Sequence, residues 1–335
     1  MMEAVTSPLG GLRARGVSMA SAAVVYVLLL AAAVTLLVGS LESTRFATLT
    51  VSGVAVGAAY GSLALALVLI YRATHVVNFA QGELGMATTY VAYQLIQWGL
   101  SYWEAFFATL AIAFVLGAAI QTLLIRPVQH RSVIGAVIVT VGLFILIDGI
   151  VNWIWGSGIR FLRSPFGGGS FDVGGVQIQH LYVGMFGVVF ACVVLVWALF
   201  RVTKLGLGMR AAALRPAAAA LVGVRVEWML ALGWGLAAVL GAVAGLMYEP
   251  TQLFLTPTLM QQALVFAFAA AVLGGLESPG GAMVGGLAIG VFLELLAGYL
   301  PQVVSLEVPF AFAVLLAILL VKPAGLFGRR EVSRV

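Results

Sequence analysis

Apolar stretches, each close to the length a helix needs to cross a bilayer, follow one another along almost the whole chain. They fall near 20–40, 48–70, 79–98, 104–125, 133–155, 181–201, 228–248, 259–274, 281–300 and 306–321. The pattern predicts an all-α integral membrane protein, a polytopic bundle of 8–10 transmembrane helices, the stretches 259–274 and 306–321 being the shortest. A single transmembrane domain would then cover 20–321, between tails at 1–19 and 322–335. The first run, Ala20 to Val38, is longer than the about 7–15 apolar residues of a signal peptide and reads as a retained span.

Composition supports the pattern. Of 335 residues, 63% are hydrophobic and 9% charged, with a mean hydropathy of +1.13. That leaves too little charge to cover a soluble surface. The net charge of +5 does not point to nucleic acid, because the basic residues stand singly or in small groups between apolar runs. They instead orient the chain. Arg13, Arg15, Arg72, Arg126, Arg131, Arg201, Lys204, Arg210, Arg215, Arg225, Lys322, Arg329, Arg330 and Arg334 fall on one side of the predicted membrane, and only Arg45, Arg160 and Arg163 on the other. By the positive-inside rule both termini are expected in the cytoplasm.

Two loops stand out. The external one, 156–180, is glycine-rich, ends in alternating apolar and polar residues, and predicts a short hairpin on the membrane surface. The cytoplasmic one, 202–227, is long, basic and rich in alanine, with a helix expected on either side of Pro216. Ten spans divide into five and five, so two such halves would be inverted copies. Glycine-containing breaks at 71–85 and 274–281 are candidate counterparts, and paired breaks of this kind point to a transporter's substrate path.

Arg72, His75, Asn78, Gln81 and Glu83 are costly near hydrocarbon and should face protein or water. Asn78, Gln81, Gly82 and Gly85 share one helical face, while Glu83, about 140° round from Asn78, should meet a different neighbour. The functional reading makes Asn78, Gln81, Gly82, Glu83 and Gly85 a substrate path; the plainer one is a loop and helix start at the interface, and spacing alone favours the plainer one. The pairs Gly57/Gly61 and Gly241/Gly245 have the spacing of tight helix packing, in a chain with 40 glycines. Asp148, Glu249 and Glu294 lie in or beside apolar stretches. Glu294 is the best candidate for a proton or cation relay, which would make the chain a gradient-driven transporter.

Signals for catalysis are missing. There is no phosphate-binding G-x-x-x-x-G-K-[ST] loop, no His-Glu-x-x-His, no Gly-x-Ser-x-Gly and no Cys-x-x-Cys. Cys192 has no partner for a disulfide, and His75, His130 and His180 sit in different segments, so no metal site is expected.

Four blocks resemble one known family, the permeases of branched-chain amino acid ABC transporters. They are YGSLALALVLIYRATHVVNFAQGELGMATTYVAY (60–93), GLGMRAAALRPAAAALVGV (206–224), VLGGLESPGGAMVGGLAIGVFLELL (272–296) and KPAGLFGRREVSRV (322–335), in family order. The resemblance implies a multi-pass permease subunit in a bacterial inner membrane, paired with a second permease chain, homologous or identical. It also implies two cytoplasmic ATPase subunits and an external solute-binding protein. No cofactor is expected on this chain; ATP would be used by the partner subunits. The loop bearing Gly208, Arg210, Pro216, Ala218, Ala219 and Gly223 resembles the family's coupling segment, which docks on the ATPase. One departure is clear: Ala217 stands where the family commonly has an acidic residue. The implied substrates are leucine, isoleucine or valine, with urea, short amides and other small organic solutes as the alternative.

Overall fold

In a computed structural model, the structure describes residues 43–129, 132–322 and 325–327. The predicted first span at 20–40, the tail 1–19 and most of the tail 322–335 lie outside the described residues. The other nine apolar stretches are all helical. In chain order the elements are α1 (Ser43–Thr74), α2 (Gln81–Gln97), α3 (Tyr102–Ile120), α4 (Val133–Trp155), β1 (Ser170–Val173), β2 (Val176–Gln179) and α5 (His180–Val202). There follow α6 (Lys204–Leu214), α7 (Pro216–Leu221), α8 (Val226–Gln252), α9 (Leu259–Gly274), α10 (Pro279–Tyr299) and α11 (Glu307–Val321). The axis of α3 runs on through a π turn, Gln121–Ile125, to Gln129. Helices dominate because the bilayer offers backbone groups no partners, so each segment must satisfy its own.

Among the described residues, six helices are long and apolar enough to cross a membrane: α1, α3, α4, α5, α8 and α10. The other three apolar helices, α2, α9 and α11, have 17, 16 and 15 residues. At 1.5 Å per residue that is about 22–26 Å, short of the roughly 30 Å hydrocarbon core. A non-helical or 3₁₀ segment precedes each of them and supplies the missing length: 75–80, 253–258 and Pro301–Leu306.

The core is built around α1, buried along most of its length and packed against α8, α10, α9 and α5. Its closest neighbour is α10, and glycine makes that approach feasible. A Cβ on Gly57 would stand 2.8 Å from the carbonyl oxygen of Gly286, and one on Gly53 2.6 Å from the Cα of Val291. The second pair predicted from spacing serves α2 against α8: a Cβ on Gly241 would lie 2.6 Å from the Gln81 amide, and one on Gly245 2.7 Å from the Gly85 carbonyl. In a bilayer, helix association rests on such close van der Waals contact rather than on expulsion of water.

The external loop forms the hairpin its alternation predicts. Strands β1 and β2 pair antiparallel, Val173 opposite Val176. Gly174 and Gly175 between them have φ of 62° and 85°, the left-handed pair a two-residue turn demands. Upstream, Arg160 and Leu255 exchange both backbone hydrogen bonds (3.1 and 2.8 Å), tying this loop to the break before α9. At the opposite end, Pro216 opens α7 as its first residue, and Thr203 caps α6 by accepting from the Gly206 N–H at 3.0 Å.

Candidate functional site

The segment singled out from the sequence lies where α2 begins. Helix α1 stops at Thr74, and His75, at φ 54°, turns the chain out of the helix. Residues 76–80 then run non-helically to the start of α2. Asn78 stabilises this entry, its Oδ1 accepting from the Ala80 N–H (3.1 Å) and its amide donating to Gln81 Oε1 (3.0 Å). Gln81 Nε2 in turn donates to the Ala237 carbonyl of α8 (2.9 Å). Thr140 of α4 reaches the same stretch, taking the Phe79 N–H at 3.4 Å.

Glu83 points elsewhere, as its angular position predicts. Its Oε1 accepts from the Gln261 amide of α9 at 3.4 Å, and its Oε2 has no hydrogen-bond partner among the described residues. Asp148 of α4 is close enough for its charge to act on Glu83. Gly82 packs under Met260 and Leu264 of α9, and Gly85 lies against Gly241 of α8. All five predicted path residues are therefore brought together, but in an interior seam between α2, α8 and α9. Asn78, Gln81 and Glu83 are buried, and none of the five lines either of the two cavities described below. Phe79, 38% exposed and 5.5 Å from the Phe268 ring, reaches the surface, as does His75.

A second break has the same form. Helix α8 ends at Gln252, Leu253 adopts φ 65°, and 254–258 run non-helically to α9. His75 and Leu253 are the only non-glycine residues with positive φ among those described. Each break is six residues long, 75–80 and 253–258, and Glu83 and Gln261 are each the third residue of the helix that follows. The stretch 274–281, which the sequence offered as a counterpart of the first break, has a different form. Those residues form a plain connection in which Gly275 turns at φ 98° and Ser278 caps α10. The break 253–258 contains no glycine and turns on a left-handed leucine and Pro257.

One cavity, about 270 Å³, opens between α1, α5, α8, α9, α10 and α11. Tyr60, Tyr182 and Tyr248 line it with Gln262, Glu294 and Glu307. Glu294 accepts from the Ser52 hydroxyl at 3.2 Å, and Glu307 from the Gln262 amide at 3.4 Å. Of these, sequence reasoning singled out only Glu294. Glu307 was missed because a 3₁₀ turn, with no periodic signal of its own, carries it there. Glu249 is buried and does not line this cavity.

The residues expected to couple the chain to an ATPase sit in different settings. Gly208 packs against the Met229 sulfur, where a Cβ would stand at 3.1 Å, and Arg210 Nε donates to the Gly206 carbonyl (3.4 Å). Pro216 starts α7, Ala219 is buried and Ala218 exposed. Gly223, at φ 85°, makes the left-handed exit toward α8 that a side chain would strain. Arg126 pairs with Glu227 beside this loop, fixing the end of α3 to the start of α8.

A bundle of long apolar helices interrupted by short ones, with no group of three His, Cys, Asp or Glu able to hold a metal among the described residues, defines a polytopic helical membrane protein. Residues 49–319 match the family described as branched-chain amino acid transport system / permease component, and the chain belongs to that family. It is 31% identical over 298 residues to the high-affinity branched-chain amino acid transport system permease protein LivH of Salmonella typhimurium, covering 85% of this chain and 96% of that one. It is 28% identical to the corresponding protein BraD of Pseudomonas aeruginosa, with the same coverage. A solved structure, PsaBC from Streptococcus pneumoniae in complex with Fab, is similar at 17% identity and a TM-score of 0.45, over 84% of this chain and 94% of that one.

Proposed function

We propose that this chain is a pore-forming permease subunit of an ABC-type importer in a bacterial inner membrane, moving branched-chain or related small amino acids. Both termini face the cytoplasm, an external binding protein delivers the substrate, and two separate ATPase subunits supply the energy. A second permease chain, homologous or identical, completes the pore, and the chain itself performs no catalysis and binds no cofactor. Family membership and the names of the relatives support this reading.

The observation that carries it is the α6–α7 pair. Leu214 at the end of α6 and Leu221 and Val222 at the end of α7 are 75%, 88% and 79% exposed, on the side the basic residues assign to the cytoplasm. Apolar side chains presented to water beside a cytoplasmic helix pair fit a surface that another subunit covers. Pulled or pushed by an ATPase, a pair joined directly to α5 and α8 would transmit rigid-body motion to the bundle. With Ala217 in place of an acid, docking rests on shape and apolar contact.

The two breaks support an inverted internal repeat, α1–α4 against α8–α11. Two hydrogen bonds join residues separated by the same 178 positions, Ser62 to Leu240 and Gln261 to Glu83. Equivalent residues of two inverted halves meet in this way only near the axis that relates them. Two short helices starting inside the bundle on such an axis are the arrangement from which transporters build alternating access.

Cysteine placed at Ala218, in the full chain assembled with its partners, should crosslink to an ATPase subunit, and less when ATP binding changes the docking. Crosslinking to the external binding protein instead would refute the orientation.

A further inference from the structure

A second, larger cavity of about 520 Å³ lies between α1, α5, α6, α8 and α10, toward the end that carries the coupling pair. Its wall is mainly apolar, with Leu65, Leu69, Trp197, Phe200 and Met283 among its residues. Three arginines from three separate elements also line it: Arg72 at the end of α1, Arg201 at the end of α5 and Arg210 on α6. The Arg201 guanidinium lies over the Trp197 ring, 5.1 Å from its centroid. Arg72 is within electrostatic reach of Arg210 and of one carboxylate, Glu277. Three cations against one acid, at the mouth of an apolar groove, leave net positive charge where hydrocarbon meets the headgroup layer.

We propose that this groove seats an anionic phospholipid of the cytoplasmic leaflet, with an acyl chain along the apolar wall and its phosphate between Arg72, Arg201 and Arg210. Guanidinium forks match phosphate oxygens in pairs, and basic pockets between helices on this side of a membrane favour acidic headgroups. An ordinary soluble phosphate would use the arginines and leave the apolar wall bare. The other occupant this chain could supply is its own apolar run 20–40. Arg13 and Arg15 precede that run, so it would bring cations toward cations. Because α6 contributes Met209, Arg210 and Ala213 to the groove, a seated lipid would hold the coupling helix against α5, and coupling would depend on acidic lipid.

The test is native mass spectrometry of the full chain with its partner subunits, after exposure to equal amounts of phosphatidylglycerol and phosphatidylcholine with the same acyl chains. Phosphatidylglycerol should be retained in preference. Arg201→Gln and Arg210→Gln should each weaken that retention about fivefold, while Arg225→Gln, outside the groove, should not. Excess glycerol phosphate should fail to displace the lipid. In the unaltered protein, brominated phosphatidylglycerol should quench tryptophan fluorescence more than brominated phosphatidylcholine, a readout independent of variant folding. Equal retention of the two lipids, equal loss on Arg225→Gln, or displacement by glycerol phosphate would overturn the proposal. So would a disulfide from Trp197→Cys to cysteines placed in 20–40, which would make that run the occupant.

Discussion

Gly290→Leu should leave little folded protein in the membrane. A Cβ at position 290 would fall within the Gly57 backbone, closer than any carbon contact allows, and no flexible side chain is there to move aside. The helices would have to separate along their whole seam, since Gly53, Gly57 and Gly61 of α1 and Gly286 of α10 share it. Overpacking a core with side chains that can adjust costs about 1–3 kcal/mol. Here backbone meets backbone at the most extensive helix contact among the described residues, and the cost should exceed that range. The check is the yield of monodisperse protein in detergent and its thermal midpoint, with Gly187→Leu on α5 as the comparison. A Cβ there meets nothing within 4 Å, so that variant should keep near-normal yield.

Gln81→Leu should lower stability and abolish uptake. The change removes the acceptor for the buried Asn78 amide, leaving it unpaired, and removes the tie to the Ala237 carbonyl, which keeps its bond within α8. An orphaned buried group costs about 1–3 kcal/mol, and no water is at hand inside the bundle to replace the partner. Because Gln81 is where α2 starts and where it is fastened to α8, the entry 76–80 and its link to Thr140 should lose their fixed position. Uptake by the assembled transporter and the thermal midpoint of the purified chain should fall together. Unchanged uptake would show that the seam is not needed to position the path.

Much of this architecture is legible in the residues. Hydropathy places the nine described apolar helices, alternation with Gly174 and Gly175 places the hairpin, and Pro216 divides the coupling pair. The position of Glu83 round the helix correctly separates it from the face of Gln81. The rest depends on tertiary contacts. Nothing in a leucine announces the left-handed conformation at Leu253, so the second break cannot be read from composition. The burial of Ala219 beside exposed Ala218 is set by how α7 leans on its neighbours, which an alanine run does not encode. The polar cavity joins Glu294 to Glu307 and three tyrosines from α1, α5 and α8, far apart in the chain and without a shared motif. Most telling is the seam itself: five residues chosen as a path are close together, yet buried within one subunit.

The central claim is that this chain is a conduit powered from outside itself. The most direct measurement is uptake of radiolabelled leucine into proteoliposomes holding the chain with its partner permease, ATPase subunits and binding protein. Uptake should require ATP and the binding protein and be lost when either is left out. Uptake by this chain alone under a proton or sodium gradient, abolished by Glu294→Gln, would contradict it.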